Sequence, residues 1–266
     1  MNRRQFFAFV SATVASLLFT VSLPLLTTSI STVTAQSNAS LLVSTAASLK
    51  EAMEEIKTNY QQSKPGVTIN YNFGASGALL QQIQQGAPAD IFISAGKKQV
   101  DTLDQSGKLA VGTRSILAKN RLVLIVPKST VGITSFFNLT KDNIKKIAIG
   151  EPRSVPAGQY AEQVLQKLGI FSKVKSKFVY ANNVRQVLAA VESGNADAGL
   201  VYRTDAKISN KVKTVVAADE KYHSPITYPM AVLKQSKNVV AATDFVNYLS
   251  GEQAKSILKK YGFILP

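Results

Sequence analysis

The chain has 266 residues, of which 45% are hydrophobic, and it carries 31 Lys and Arg against 16 Asp and Glu, a formal net charge of +15. This apolar content suits one large domain or two modest ones. The sequence contains no cysteine and one histidine, His223, which excludes disulfides, thiolate chemistry, a lipid-bearing cysteine and a zinc site built from several His or Cys. The lysines are scattered and form no arginine-rich stripe, so they favour solvated faces over nucleic-acid binding.

The N-terminus predicts an export signal over residues 1–35. Arg3 and Arg4 precede a long uncharged run over 6–26, and small residues ending at Ala35 are typical of a cleavage site. The paired arginines are compatible with either a Sec or a twin-arginine signal. A retained membrane anchor is a third interpretation because the run is long, although Pro24 and several hydroxyl residues dilute it. We therefore expect an exported mature chain.

The first half of the mature chain predicts alternating strands and helices. The predicted strands cover 41–44, 67–73 and 90–94, and the predicted helices cover 48–62, 78–85 and a stretch ending near 105. Ser48 and Glu51 match a capping box, which places Ser48 at the N-cap of the first helix. Strands that alternate with helices predict parallel pairing, and ligands of such sheets bind at the carboxyl ends of the strands.

The second half repeats this pattern after a crossover predicted near 118–121. The predicted strands cover 122–126, 147–149, 177–180, 198–202 and an extended return over 225–233. The predicted helices cover 157–168, a segment capped by Asn182 and ending near 192, and closing helices over 238–261. Within the closing helices, the predicted packing residues are Val239, Val240, Phe245, Leu249 and Ile257. His223 is predicted to lie in a surface turn.

Four turns made of small residues stand where a strand ends and a helix begins, at 44–48, 73–77, 154–158 and 181–184. A helix start presents unpaired N–H groups and the positive end of the helix dipole, so it can hold an anion. Ser48 and Ser76 each offer a hydroxyl and an N–H, whereas Ala157 and Val184 offer an N–H. None of the four turns contains Asp or Glu. A purely structural capping role is the alternative interpretation of any one turn.

An ordered set of short segments extends these turns. The segments are AASL (46–49), GASG (74–77), GAPADIFIS (86–94), VPAGQYA (155–161), NVR (183–185), GLVY (199–202) and KYGF (260–263). In this order the chain resembles the periplasmic molybdate-binding proteins of ABC transporters, over essentially all of 40–266.

The resemblance implies an α/β fold of two lobes, the type II periplasmic-binding-protein fold. It implies mostly parallel sheets with flanking helices and two crossing strands as the hinge. The expected domains are a signal peptide over 1–35, a first lobe over 36–119 plus 227–266, and a second lobe over 120–226. A tetrahedral oxyanion would lie between the lobes.

The same resemblance implies the groups that bind the oxyanion. Ser48 and Ser76 would contribute hydroxyls, Ala157 and Val184 backbone N–H groups, and Tyr202 its hydroxyl. Molybdenum would be bound only as molybdate, with tungstate as a second ligand, and no cofactor is expected. A site made of donors suits fully deprotonated dianions, whereas phosphate would need an acceptor for its proton.

The implied partners are an ABC permease with its cytoplasmic ATPase, and the chain is expected to be a periplasmic monomer that binds no nucleic acid. An enzymatic role is disfavoured, because no nucleophile elbow, P-loop or cysteine is present. Capture of another tetrahedral oxyanion such as sulfate stays open. Arg153 could place positive charge near the cleft or face solvent, and Arg185 is predicted to pair on its helix surface.

Overall fold

A computed structural model of the chain describes residues 38–266. The export signal and the alternative anchor predicted for 1–35 lie outside the described residues. The described part contains two five-stranded sheets, each flanked by helices, and the predicted two-lobed α/β fold is confirmed. We call the first sheet with its helices the first lobe and the second sheet with its helices the second lobe.

The first sheet has the strand order β2-β1-β3-β10-β4. Its strands are β1 (Ala39–Ala46), β2 (Val67–Gly74), β3 (Ile91–Ile93), β4 (Ser115–Lys119) and β10 (Thr227–Val232). The second sheet has the order β7-β6-β8-β5-β9. Its strands are β5 (Leu122–Pro127), β6 (Ile147–Gly150), β7 (Phe178–Ala181), β8 (Ala198–Tyr202) and β9 (Val212–Ala217).

Both sheets are mixed. The parallel pairing predicted from strand–helix alternation is found for β1 with β2 and β3, and for β6 with β7 and β8. The remaining pairings are antiparallel and involve β10 in the first sheet and β5 in the second. Strands β5 and β10 each come directly after a segment that passes from one sheet to the other. Each is antiparallel to both of its neighbours.

The helices of the first lobe are α1 (Lys50–Ser63), α2 (Ser76–Gln84), α3 (Lys97–Gln105), α8 (Val239–Leu249) and α9 (Glu252–Lys260). Those of the second lobe are α4 (Pro156–Lys167), α5 (Phe171–Val174), α6 (Val184–Glu192) and α7 (Arg203–Lys207). Short 3₁₀ turns cover Ala47–Leu49, Phe136–Thr140, Lys175–Lys177 and Glu220–Tyr222. The strands of each sheet fall within the residues predicted for the corresponding lobe, while the exact lobe boundaries stay a prediction.

A continuous apolar core runs through both lobes. The uninterrupted apolar strand β5 is buried from Leu122 to Val126, which is typical of a strand covered on both faces. Each fully buried Leu, Ile or Val contributes roughly 1.5–3 kcal/mol. Among the closing helices, Phe245, Leu249 and Ile257 are buried as predicted.

Some predictions about individual residues are wrong. Val240 is 86% exposed and Val239 is 39% exposed, because both lie in the first turn of α8, where the helix has not yet reached the core. His223 follows the 3₁₀ turn Glu220–Tyr222 at the surface, as predicted, but its side chain is buried and packs edge-on against Tyr160. Strands β4 and β9 were not predicted, because charged and polar side chains interrupt their apolar alternation.

Candidate functional site

The structure brings all five predicted site residues to one pocket between the lobes. Ser48 and Ser76 line it from the first lobe, and Ala157, Val184 and Tyr202 line it from the second. All five are buried. The space between them is much smaller than the pockets that hold drug-sized molecules. A small ligand is therefore the kind that these residues could enclose.

The remaining lining residues are small or apolar, apart from Asn183. None of the described residues that line the pocket is charged. A buried anion is stabilised by several hydrogen-bond donors and is repelled by carboxylates, so this composition suits a negatively charged ligand. The pocket thus combines N–H groups and hydroxyls with an otherwise apolar wall.

Ser48 lies in the 3₁₀ turn Ala47–Leu49 that follows β1. The predicted capping box is wrong, because α1 begins at Lys50 with no side-chain cap and the Ser48 side chain has another partner. The Ser48 Oγ lies 2.9 Å from the hydroxyl of Tyr228, which is on β10. The tighter 3₁₀ turn therefore keeps the hydroxyl at the pocket and away from the helix amides.

Ser76 is the first residue of α2, two residues after β2 ends at Gly74. Its N–H belongs to the group at a helix start that has no acceptor within the helix. Its Oγ accepts a hydrogen bond of 2.9 Å from the N–H of Ala95, which follows β3. The neighbouring strand end therefore fixes the orientation of the Ser76 side chain.

Ala157 is the second residue of α4, which begins with Pro156 after the N-cap Val155. Proline is favoured at the first helical position because its fixed φ suits a helix start and it has no N–H to satisfy. The helix start lies very close to the end of β6, since a Cβ added to Gly158 would meet the Gly150 carbonyl oxygen at 1.9 Å. Ala157 lines the pocket, and its N–H is one of the helix-start amides that have no acceptor within the helix.

Val184 begins α6, and the cap of this helix is Asn183, not the predicted Asn182. The Asn183 Oδ1 accepts hydrogen bonds of 3.0 Å from the N–H groups of Arg185 and Gln186. The cap thus satisfies the second and third N–H groups of the helix. The first N–H, that of Val184, is not held by this cap, and Val184 lines the pocket at the positive end of the helix dipole.

Tyr202 ends β8, and its side chain reaches toward the first lobe. Its hydroxyl donates to the carbonyl oxygen of Ala95 at 3.3 Å. Burial raises the pKa of Tyr202 well above its usual value, so the phenol keeps its proton at neutral pH. The phenol therefore has a proton to donate, and a ligand would receive it once the hydroxyl turned away from the Ala95 oxygen.

The hydrogen bonds around the two serines leave their protons for a ligand. Asn120 Nδ2 donates to the Tyr228 hydroxyl oxygen at 3.2 Å. Either hydroxyl can donate across the contact between Ser48 and Tyr228, and in the arrangement where Tyr228 donates, Ser48 Oγ is the acceptor. Since Ser48 and Ser76 each then accept a bond from the protein, each can donate its own proton into the pocket. The site is thus a set of donors.

The lobes are in contact beside the pocket. The N–H of Gly77 in α2 donates to the carbonyl oxygen of Ser154 at 2.9 Å, and Tyr202 reaches Ala95 from the second lobe. Any side chain at Gly77 would collide with this partner, since an added Cβ would lie 2.5 Å from the Ser154 oxygen. The described conformation is therefore closed.

The two arginines near the pocket have different partners. Arg153 is exposed and pairs with Glu151, two residues away, so it faces solvent. Arg185 does not pair on its own helix surface as predicted. Its guanidinium contacts Glu51 on α1 of the first lobe and Asp205 on α7 of the second.

Sequence reasoning did not identify three residues whose side chains contact the site or its supports, Asn120, Tyr228 and Arg185. Their partners are 84 to 180 residues away in sequence, and local patterns carry no signal for such contacts. The Asn183 cap does have a local signal. An asparagine stands directly before the helix, and the helix begins only one residue later than predicted.

Across 38–266, His, Asp and Glu side chains form no cluster of three that could hold a metal ion. Over the same residues, no helix has both the length and the apolar character required to cross a membrane.

Comparison with known proteins gives consistent results. The sequence model of a family described as bacterial extracellular solute-binding protein matches residues 41–264. YvgL of Bacillus subtilis, a lipoprotein named for substrate binding in an ABC transporter, is 46% identical over 84% of this chain and 85% of its own length. The molybdate-binding protein ModA of Escherichia coli is 40% identical over 85% of this chain and 89% of its own length.

A solved structure also matches closely. It is a substrate-binding domain from Clostridium difficile named for a molybdenum ABC transporter. It is 48% identical, covers 86% of this chain and 99% of its own length, and has a TM-score of 0.68.

Proposed function

The chain belongs to the family of bacterial extracellular solute-binding proteins, and on that premise we propose that it captures molybdate between its two lobes for an ABC transporter. Tungstate is the second ligand we propose. The observation that carries the proposal is the closed pocket in which Ser48, Ser76, Ala157, Val184 and Tyr202 converge without a charged side chain. The 40% identity to a protein named for molybdate binding supports this ligand over other oxyanions.

The chemistry of binding follows from the donors. Molybdate is a tetrahedral dianion without a proton at neutral pH, so every oxygen accepts hydrogen bonds. Two serine hydroxyls, one phenol and helix-start amides match it, and each hydrogen bond to a charged group contributes about 1.5–3 kcal/mol. Five such bonds sum to about 7–15 kcal/mol before the costs of association, a range that includes the roughly 8 kcal/mol of micromolar binding.

The proposal extends to the setting of the protein. It acts in the periplasm after export by a Sec or twin-arginine signal, delivers its ligand to a permease with a cytoplasmic ATPase, works as a monomer and catalyses no reaction. It uses no cofactor and binds no nucleic acid. The lobes over 36–119 plus 227–266 and over 120–226 open and close about the two segments that cross between the sheets.

Isothermal titration calorimetry of the purified protein with molybdate, tungstate, sulfate and phosphate at pH 7 tests the proposal. We expect tight binding of molybdate and tungstate, weaker binding of sulfate, and no binding of phosphate, because protonated phosphate finds no acceptor. Tight phosphate binding without molybdate binding would overturn it. Sulfate binding tighter than molybdate binding would favour the sulfate alternative.

A further inference from the structure

We propose that Arg185 is a latch that holds the two lobes closed and thereby sets the rate at which the ligand leaves. The latch consists of Arg185, Asp205, Glu51 and the carbonyl group of Ser48. This inference rests on the proposed function, since it assigns the regulation of release to a group outside the pocket. Arg185 is a positioning residue, because it is not among the residues that line the pocket.

The second lobe holds one side of the guanidinium. Arg185 Nε lies 2.7 Å from Asp205 Oδ1, and the Asp205 side chain is fully buried. The other Asp205 oxygen accepts a hydrogen bond of 3.1 Å from the N–H of Tyr202. The arginine is thus aligned by a carboxylate fixed to the strand end that carries a proposed ligand group.

The first lobe binds the other side. Arg185 Nη1 donates to Glu51 Oε1 at 2.9 Å, and Nη2 contacts the second Glu51 oxygen. Nη2 also donates to the Ser48 carbonyl oxygen at 3.2 Å. A two-pronged arginine–carboxylate contact is among the stronger charged hydrogen bonds, and only 20% of the Arg185 side chain is exposed, which limits screening by solvent. These bonds join residues of opposite lobes, so opening must break them.

The latch is connected to the pocket at three points. Arg185 follows Val184 in the chain, its acceptor is the carbonyl of Ser48, and its aligning carboxylate binds the amide of Tyr202. A ligand that draws the Val184 amide and the Ser48 hydroxyl together also brings the guanidinium to Glu51. Occupation of the pocket and formation of the latch therefore favour each other.

The charges explain why an arginine is needed here. Glu51 lies three residues from Ser48, and an uncompensated carboxylate at this distance would repel an anion in the pocket. In the closed state Arg185, whose single charge is shared with Asp205, offsets part of this repulsion. The latch therefore adds bonds between the lobes and reduces an unfavourable repulsion in the same step.

The test compares Arg185→Gln with Arg153→Gln, which removes the same charge from an exposed arginine paired within one lobe. Calorimetry first establishes which of molybdate and sulfate the wild-type protein binds. Stopped-flow displacement with that anion then gives association and dissociation rates from tyrosine fluorescence, since the chain contains nine Tyr and no Trp. We expect Arg185→Gln to raise the dissociation rate at least about tenfold and to change the association rate little. Arg153→Gln should leave both rates close to wild type.

Two further variants make the test independent of the folding of one mutant. Arg185→Lys keeps the charge but cannot bridge two carboxylates, so it should give an intermediate dissociation rate. Glu51→Gln removes the charge at the other end of the latch and should also speed dissociation. In the double variant Arg185→Gln/Glu51→Gln the rate should be no faster than that of Arg185→Gln alone, because the contact between the lobes is already broken and the uncompensated Glu51 carboxylate is removed.

Equal dissociation rates in Arg185→Gln and Arg153→Gln would overturn the latch while leaving anion capture intact. A slower association rate with unchanged dissociation would also overturn it, because that result indicates charge steering. If the wild-type protein binds neither molybdate nor sulfate, the proposed function and the latch fall together.

Discussion

The amide of Gly77 donates a hydrogen bond of 2.9 Å to the carbonyl oxygen of Ser154, and this bond joins the helix start of α2 in the first lobe to the loop before α4 in the second. Both residues are next to proposed ligand groups, Ser76 on one side and the start of α4 on the other. This contact is between two backbone groups, so closure depends on the absence of a side chain at position 77.

Gly77→Ala should lower the affinity for molybdate without lowering the stability of the ligand-free protein. In the open protein, alanine favours the helix over glycine by about 0.5–1 kcal/mol, so ligand-free stability should be unchanged or higher. In the closed protein the new Cβ would lie 2.5 Å from the Ser154 oxygen. We expect at least about tenfold weaker molybdate binding, from the 1–3 kcal/mol cost of overpacking. Calorimetry and thermal unfolding check the two effects, and unchanged affinity would contradict closure at this contact.

Ser76→Asp should abolish molybdate binding. The carboxylate could still accept from the Ala95 amide, but it would face the dianion. Two unit charges 4 Å apart repel by about 4 kcal/mol at an effective dielectric constant of about 20, so we expect more than a thousandfold loss of affinity. Ser76→Asn is the neutral control of the same size and should bind more tightly than Ser76→Asp. Equal affinities of the two variants in calorimetry would place Ser76 outside the site.

Tyr228→Phe should weaken molybdate binding by about 1 kcal/mol. The ring would remain packed against Tyr202 and Phe263, but the proton donated to Ser48 Oγ would be lost, and the Ser48 hydroxyl could then turn away from the ligand. Tyr71→Phe is the matched control, because its hydroxyl donates to the Met53 carbonyl oxygen outside the pocket. Calorimetry should show no change in Tyr71→Phe, and an equal loss in both variants would rule out this role of Tyr228.

Asp205 should make stability depend on pH. Burial raises the pKa of Asp205 to about 6, against the opposing effect of Arg185. Between about pH 4 and 6 the folded state therefore holds a proton that the unfolded state has released, so the free energy of unfolding falls as pH rises through this window. The contribution amounts to at most about 3 kcal/mol.

Asp205→Asn removes this titrating group and keeps the size of the side chain. Urea unfolding of the wild-type protein and of this variant at pH 4, 5, 6 and 7 measures the difference. As pH rises to about 6, the free energy of unfolding of the wild-type protein should fall relative to that of the variant. Above about pH 6 the difference between the two should stay constant. A constant difference across the whole range would contradict the raised pKa.

The sequence was sufficient to predict most of the strands and helices, and five residues that line the pocket. Strand β8 begins and ends where the apolar run 198–202 does, because a buried strand needs little else to define it. Ser48 and Ser76 were identified from turns between strand and helix, where a local pattern and a physical property, the unpaired amides, coincide. The ordered segments that resemble a known family added Tyr202, which no turn pattern marks.

What could not be predicted depends on contacts between distant residues. Glu51 was assigned to a local capping box with Ser48, but its carboxylate binds Arg185, which is 134 residues away. A local pattern cannot show that a side chain has a stronger partner in the other lobe. The same reason explains Asn120 and Tyr228, whose roles exist only once β10 has returned from the second sheet.

The position of β10 between β3 and β4 has a consequence for how the chain is assembled. The second sheet is built from one continuous stretch, 122–217, so it can be completed while the C-terminal residues are still being synthesised or translocated. The first sheet cannot be completed until residues 227–232 arrive, although its first strand is the earliest of the described elements. The first sheet therefore starts to form before the second sheet but is completed after it. A chain interrupted before β10 would leave the facing edges of β3 and β4 exposed to aggregation.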